Sequence, residues 1–298
     1  MKKFTLEIQE QIQVKNLLNE ILLEYGTNYE CFIKNSSILA TELPYNLRQF
    51  IHNFKVSIDD NDRACLISQL PINNTSNTPL AINYTNLISE INKDEMLLLL
   101  IGSLLGDVFG WKEEQGGNLV HDVMPIPEHK NKQISTGAYQ DIYLHTEEAF
   151  HDYSSDYLGL LCIRNNQGVP TTYCSINSID FSDPKFDVLF EKKYLFKKVE
   201  SHKSLSCNSD FEKGYRKSVL FGDRQKPFIR IDYYFMDDSD DDLETKNALK
   251  MLISVINLAL KKIVLQSGDL LLLDNMQCVH GRDAFNLTMM VRIDGLSV

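Results

Sequence analysis

The stretch 268–282 reads GDLLLLDNMQCVHGR, in which four leucines precede an Asp-Asn pair and a histidine. A short apolar run bounded by turn residues is typical of a buried strand. The Asp-Asn pair favours a turn, and His280 lies just beyond it. The pattern therefore predicts a buried strand, a turn, and a histidine close to the strand end that is a candidate metal ligand.

A second group of candidate ligands is His145-Thr146-Glu147, at the end of a predicted strand. In an extended chain, residues i and i+2 project to the same side, so this imidazole and carboxylate can reach one ion. The chain has 7 histidines and 41 acidic residues, so one such match could also arise by chance on a surface strand. Adding His280 gives two histidines and a carboxylate, which is the facial triad of iron(II) oxygenases. Zinc accepts the same ligands, but the helical HExxH motif of zinc proteases is absent.

Composition narrows the class of protein. The 298 residues are 43% hydrophobic and 24% charged, which is ordinary for a globular protein with a full core. The net charge of -11 argues against a nucleic-acid partner and against attachment to an anionic membrane surface. The most apolar stretch, 96–105, is too short to span a bilayer. Six scattered cysteines without a CxxC pair favour free thiols in a reducing cytoplasm.

The spacing of apolar residues divides the chain into a helical first part and a β-rich second part. The predicted helices are 6–25, about 43–55, 87–109 and 243–266. The predicted strands are 118–124, 141–145, 157–164, 171–176, 228–235, 269–273 and 289–293. The pattern predicts an α+β, mainly β protein, in which a mostly helical part, residues 1–113, packs on a β core, residues 114–298, within a single domain.

Several longer stretches resemble a known family. They are HTEEAFHDYSSDYLGLLCIRN (145–165), GDLLLLDNMQCVHGR (268–282), EQGGNLVHDVMPIPEH (114–129), TTYCSI (171–176) and PFIRIDYYF (227–235). Together they resemble the clavaminate synthase-like, TauD-type branch of the iron(II)/2-oxoglutarate dioxygenases, many of which hydroxylate amino acids. The resemblance implies a double-stranded β-helix (jelly-roll) core with flanking helices. It also implies Fe(II) and 2-oxoglutarate as cofactors, with O2 and an amino acid or amino-acid derivative as substrates.

The resemblance also implies residues for the metal and the cosubstrate. The metal ligands would be His145, Glu147 and His280. Thr172 matches the family's cosubstrate-binding threonine, with Thr171 as the neighbouring alternative, and Arg292 matches its arginine. Many relatives carry two arginines four residues apart on that strand, whereas this chain has only Arg292. Arg292 could therefore bind either 2-oxoglutarate or the substrate.

Substrate contacts are implied less sharply. In the resemblance, Glu114 and Gln115 lie near the substrate amino group, and Asp232 matches a position that faces a guanidinium in arginine-hydroxylating relatives. Those relatives often have a second acid two residues later, where this chain has Tyr234. Glu148 is a further candidate at the pocket. Glu148 and Asp232 could equally be solvated or surface-paired charges.

Two other functions stay open on the sequence alone. One is an iron oxygenase of the same fold that does not depend on 2-oxoglutarate, which the single arginine suggests. The other is a non-catalytic jelly roll that binds a metal or a ligand. The sequence identifies neither the substrate nor the oligomeric state.

Overall fold

A computed structural model describes residues 1–57, 61–72, 92–112, 115–197, 214–237 and 242–286. Its helices are α1 (Ile8–Tyr25), α2 (Tyr29–Leu39), α3 (Tyr45–Val56), α4 (Lys93–Leu105) and α5 (Leu243–Ala259). Its strands are β1 (Lys2–Thr5), β2 (Ala64–Ser68), β3 (Ile142–His145), β4 (Tyr157–Leu161), β5 (Thr171–Ser175), β6 (Tyr194–Phe196), β7 (Tyr215–Lys217), β8 (Leu220–Gly222), β9 (Pro227–Ile229), β10 (Met236–Asp237), β11 (Lys261–Ile263), β12 (Leu270–Asp274) and β13 (Cys278–Arg282).

Two four-stranded sheets form the centre of the described chain. The first sheet has the order β1-β2-β12-β4, and all its neighbours are antiparallel except β1 and β2. The second sheet, β11-β5-β13-β3, is antiparallel throughout. Two smaller sheets have the strand orders β10-β6-β7 and β8-β9. The architecture is therefore a mixture of helices and mainly antiparallel sheets.

The leucine run of β12 is apolar at every position because both of its faces are covered. Leu270 and Leu272 belong to the core cluster that α1–α4 supply, whereas Leu271 and Leu273 pack with residues of the second sheet. Successive side chains of a strand point to opposite faces, so a strand between two apolar layers needs an unbroken apolar run. Each buried leucine contributes roughly 1.5–3 kcal/mol, which makes β12 a central element of the core.

Helix α5 covers the other face of the second sheet. Its Leu252 and Ile256 lie in one buried cluster with Cys174 of β5 and Val279 of β13. The order of layers is thus α1–α4, first sheet, second sheet, α5. The predicted helix 243–266 ends earlier than expected, at Ala259, and β11 follows it.

Other predictions about the secondary structure are also wrong in detail. The predicted strand 228–235 is a strand only up to Ile229, where β9 ends, and Asp232 forms an isolated bridge. Residues 118–124 form no strand, because Leu119 and Val120 pack against the helical cluster instead of joining a ladder. The first part is also less purely helical than expected, since β1 and β2 add two strands to the first sheet. The predicted strand 289–293 lies outside the described residues.

Within the described residues, no helix is long and apolar enough to cross a membrane. The five cysteines in this part of the chain, Cys31, Cys65, Cys162, Cys174 and Cys278, are all free thiols.

Candidate metal centre

Two histidines are placed side by side by adjacent strands of the second sheet. His145, the last residue of β3, lies directly opposite His280 of β13, and their ring centroids are 4.2 Å apart. Directly opposed residues of an antiparallel pair project their side chains to the same face. The register of β3 on β13 therefore fixes both imidazoles at one point.

Glu147 completes the group from just beyond the end of β3. Its Oε1 lies 3.0 Å from Nε2 of His280 and 3.7 Å from Nε2 of His145. One ligand atom from each residue lies within 4.8 Å of the other two. The structure thus brings together the predicted triad, and two imidazole nitrogens with one carboxylate oxygen fit iron(II) with positions left open.

The members of the triad shift one another's pKa values. Burial disfavours a charge on His145, but the nearby carboxylate of Glu147 outweighs it and raises the pKa of His145 to about 9. Burial also opposes the charge of Glu147, yet the nearby His145 and the hydrogen bond with His280 hold its pKa well below the usual range. Burial and the charge of His145 lower the pKa of His280. A bound metal needs neutral imidazoles, so metal binding would release the proton that the raised pKa keeps on His145.

A backbone contact sets the orientation of the His145 ring. Its Nδ1 lies 2.9 Å from the carbonyl oxygen of Tyr143. The Nδ1–H can donate there, so once the ring is neutral its lone pair lies on Nε2, the nitrogen that a metal would bind.

Asp232 is a further carboxylate beside the triad. Its backbone pairs with His145 in an isolated antiparallel bridge, and its Oδ1 accepts a hydrogen bond of 3.3 Å from the backbone N–H of Phe235. Burial raises the pKa of Asp232, and the charge of His145 partly opposes that effect. The candidate substrate residue Asp232 therefore lies at the metal centre.

An exposed aromatic group stands next to Asp232. Tyr143, Tyr233 and Tyr234 are 50%, 44% and 52% exposed. The Tyr143 ring lies 6.3 Å from the Tyr233 ring and 6.5 Å from the Tyr234 ring, measured between centroids. Tyr234, which stands where relatives have a second acid, thus belongs to an aromatic rim.

The register of β5 on β13 distinguishes the two candidate threonines. Tyr173 lies opposite His280, and Thr172 lies opposite Gly281. Because opposed residues share a face and neighbours alternate, Thr171 lies on the face that His280 occupies and Thr172 on the other face. A Cβ atom built on Gly281 would lie 3.1 Å from the Thr172 hydroxyl, which agrees with this assignment.

The remaining candidates for binding the substrate or cosubstrate are Glu148, Gln115, Glu114 and Arg292. Glu148 is half-buried and has a positive φ of 53°, so the chain turns sharply after Glu147. Gln115 begins a short turn, Gln115–Gly117, and its side chain is not described. Glu114 and Arg292 lie outside the described residues.

Two side chains near the centre have contacts that their sequence motif does not reveal. Arg282 donates hydrogen bonds to the carbonyl oxygens of Ser135 (3.1 Å) and Gly137 (2.8 Å). It therefore anchors a loop to the strand that carries His280. The side chain of Asn275 bonds to the backbone of Glu147, whereas the sequence indicated only a turn at that position.

Comparison with known proteins assigns the family. Residues 92–293 match the model of the taurine catabolism dioxygenase TauD, TfdA family. The chain belongs to this family. Its membership confirms the resemblance drawn from the sequence and, with it, the predicted dioxygenase class with iron(II) and 2-oxoglutarate as cofactors.

Several relatives are similar over most of the chain. Enduracididine beta-hydroxylase of Streptomyces hygroscopicus is 30% identical over 286 residues, which cover 89% of this chain and 82% of the relative. The L-ornithine/L-arginine 3-hydroxylase of Catenulispora acidiphila is 28% identical, with 99% and 91% covered. The non-heme iron oxygenase OrfP, solved with Fe, succinate and (3S)-hydroxy-L-Arg, superposes with a TM-score of 0.85 at 31% identity, covering 96% of this chain and 90% of OrfP. A structure of OrfP with Fe and alpha-ketoglutaric acid also gives a TM-score of 0.85 at 31% identity, with 97% and 89% covered.

Proposed function

We propose that this protein hydroxylates an unactivated C–H bond of a free amino acid with a basic, arginine-like side chain. The observation that carries the proposal is Asp232, a half-buried carboxylate beside His145 that is not one of the three candidate ligands. The relatives support it, because they are hydroxylases named for enduracididine, ornithine and arginine.

The metal would be held by the two histidines and Glu147. When bound, iron(II) and 2-oxoglutarate supply the oxidising chemistry that breaks the C–H bond, and the protein supplies position and electrostatics. Glu147 would neutralise part of the metal charge, and the His145 ring is held in one orientation by the Tyr143 carbonyl. The His280 side chain is 7% exposed and lies on the buried side of the site. The Glu147 side chain is 36% exposed and lies on the side that faces solvent.

The substrate side chain would be held by Asp232. A carboxylate accepts two parallel hydrogen bonds from a guanidinium, and the partial burial of the pair strengthens them. Tyr234 cannot provide a second charge, but its ring and those of Tyr143 and Tyr233 offer faces that attract a cation. One carboxylate with an aromatic rim is therefore the proposed recognition element for the basic group.

For the cosubstrate, we propose Thr171 in preference to Thr172, because Thr171 shares the face of His280. Arg282 is occupied by two backbone carbonyls. We keep Arg292, which the family resemblance implies, as the proposed partner of the distal carboxylate of 2-oxoglutarate. Glu114, Gln115 and Glu148 remain candidates for substrate contacts.

Three broader features are part of the same proposal. The two sheets, which face each other across the cluster that includes Tyr173 and Leu271, would be the two halves of a jelly roll. The chain would form a single domain, since β1 and β2 extend the first sheet. The free cysteines suit a reducing cytoplasm.

The proposal is tested by measuring succinate release with L-arginine, L-ornithine, L-lysine and L-citrulline. Citrulline has the length of arginine without its charge, so we expect kcat/KM for arginine to exceed that for citrulline by at least about tenfold. Asp232→Asn should lower kcat/KM for arginine by about 10–100-fold and affect citrulline less, since a charge-assisted hydrogen bond contributes about 1.5–3 kcal/mol.

Asp180→Asn is the matched control, because Asp180 also accepts a hydrogen bond from a backbone N–H, that of Ser182, in the turn after β5. An unchanged preference for arginine over citrulline in Asp232→Asn would contradict the role of Asp232. Product formed without 2-oxoglutarate would contradict the cosubstrate, and no turnover of any amino acid would contradict the substrate class.

A further inference from the structure

The three ligands of the metal centre are not held in the same way. His145 and His280 are fixed by the register of two paired strands. Glu147 lies beyond β3, where the last ladder-like contact is the hydrogen bond of 2.8 Å from the Thr146 N–H to the Ile231 carbonyl. The positive φ of Glu148 then turns the chain away. A separate device is needed to hold the backbone of Glu147.

We propose that Asn275 is a positioning residue for the metal centre, which sets Glu147 by gripping its backbone. The Asn275 Oδ1 accepts a hydrogen bond of 2.8 Å from the Glu147 N–H. The Asn275 Nδ2 donates to the Glu147 carbonyl at 3.2 Å and to the Ser155 carbonyl at 2.8 Å. One side-chain amide thus offers the donor and acceptor that a neighbouring strand would offer.

The geometry of Asn275 is itself fixed. Its side chain is buried, at 2% exposure, and its backbone N–H donates to the Asp156 carbonyl at 2.8 Å. Through its side chain and its backbone N–H, Asn275 therefore contacts both ends of the loop 147–156. Because that loop begins at the ligand carboxylate, Asn275 determines where the loop leaves the metal centre.

A buried ion pair holds the turn that carries Asn275. The guanidinium of Arg63 bonds to Oδ2 of Asp274 through Nε, at 3.0 Å, and through Nη2. The other oxygen of Asp274 accepts from the Met276 N–H at 2.9 Å. Arg63 and Asp274 are 7% and 5% exposed. The ion pair thus joins the turn to Arg63, which directly precedes β2, and so holds in place the turn from which Asn275 contacts Glu147.

The role predicts a loss of metal affinity that exceeds any loss of stability. Residues that orient metal ligands typically change affinity by about 10–100-fold when they are removed. In Asn275→Ala the Glu147 N–H and carbonyl lose their partner, so the loop can move and the carboxylate is no longer held beside the two imidazoles. Co(II) binding should weaken by about 10–100-fold.

Asn177→Ala is the matched control. The Asn177 Nδ2 donates to the Gln277 side chain at 2.9 Å, so it contacts the same turn but not Glu147. We expect its Co(II) affinity to stay within about twofold of the unsubstituted protein, since it orients no ligand.

The experiment titrates metal-free protein with Co(II) under anaerobic conditions and follows its visible absorption, with thermal unfolding of each metal-free variant measured in parallel. Weakened binding in Asn275→Ala, with little change in Asn177→Ala, supports the proposal. Co(II) affinity in Asn275→Ala within twofold of the unsubstituted protein would overturn it, and so would equal losses in both variants. If Asn275→Ala does not fold, Asn275→Ser supplies the same comparison with a shorter hydrogen-bonding group.

The inference rests on the metal centre of the proposed function and not on the proposed substrate. The titration contains no amino acid, so the positioning role can fail while the substrate proposal stands, and the reverse. An unsubstituted protein that binds no Co(II) would overturn both the metal centre and the role of Asn275.

Discussion

Gly281→Ala should damage the metal centre without touching a ligand. A Cβ atom at Gly281 would lie far inside contact distance of the Ile142 carbonyl oxygen in β3, and 3.1 Å from the Thr172 hydroxyl in β5. The carbonyl belongs to the backbone of a paired strand, so a rotamer change cannot relieve the overlap. The second sheet itself must deform around β13.

The size of the effect follows from this geometry. Restoring the ordinary contact of at least 3.4 Å requires β3 and β13 to separate by roughly 1 Å, a backbone shift of the kind that costs about 1–3 kcal/mol. The same shift separates His145 from His280, which lie opposite each other three residues along β3 from Ile142. We therefore expect the metal-free protein to lose about 1–3 kcal/mol of unfolding free energy, and Co(II) affinity to fall by about tenfold or more.

The assay pairs urea unfolding with Co(II) titration. Gly106→Ala is the control, because a Cβ atom there would have no heavy atom within 4 Å and its φ of 176° is extended backbone that alanine adopts. The reasoning is refuted if Gly281→Ala matches Gly106→Ala in both unfolding free energy and Co(II) affinity.

Three further predictions concern other parts of the chain. Arg63→Met should cost about 3–5 kcal/mol, because it leaves the buried Asp274 carboxylate without its partner, and urea unfolding should show a smaller loss when Asp274 is also made apolar. Burial and nearby acidic charge raise the pKa of Glu95 to about 7, so its folded form holds a proton more tightly than its unfolded form. Its contribution to stability is therefore present below pH 4.5 and lost as pH rises through 7. The Glu95→Gln variant should be about 1–2 kcal/mol more stable than the unsubstituted protein at pH 8 and equally stable at pH 4. Equal unfolding free energies of the two proteins at pH 8 would contradict this. Thr171→Val should raise KM for 2-oxoglutarate by about tenfold, as expected for one lost hydrogen bond to a charged group, while Thr172→Val should leave it within twofold; the opposite order would refute the face assignment.

Local patterns allowed a good part of the fold to be predicted. Helix α1 and strand β12 follow from the spacing of apolar residues within a single segment, so residues that are near in sequence are enough to predict them. Helix α2 was missed, because its buried positions, Phe32 and Ser36, are too few to make a clear apolar stripe. The strand predicted at 118–124 failed for a related reason, since β-rich composition does not tell whether a ladder partner exists.

The candidate site divides in the same way. The ligands were predictable because metal chemistry restricts residue types and His145 and Glu147 are two residues apart. The contact of Asn275 with Glu147 spans 128 residues, and that of Arg63 with Asp274 spans 211. Neither leaves a local pattern. The choice between Thr171 and Thr172 also required the register of β5 on β13, because a shift of one residue exchanges the two faces.

The Asp-Asn pair between the leucine run and His280 now has a physical explanation. β12 lies in the first sheet and β13 in the second, so the turn that joins them crosses from one sheet to the other. Asp274 binds Arg63 on the side of the first sheet, and Asn275 binds Glu147 on the side of the second. The histidine ligands come from strands of the second sheet, and Glu147 comes from the loop after β3. The turn between β12 and β13 therefore fixes the position of Glu147 relative to the core strand β12. Substitutions in the turn should therefore weaken metal binding even though no residue of the turn is a candidate ligand.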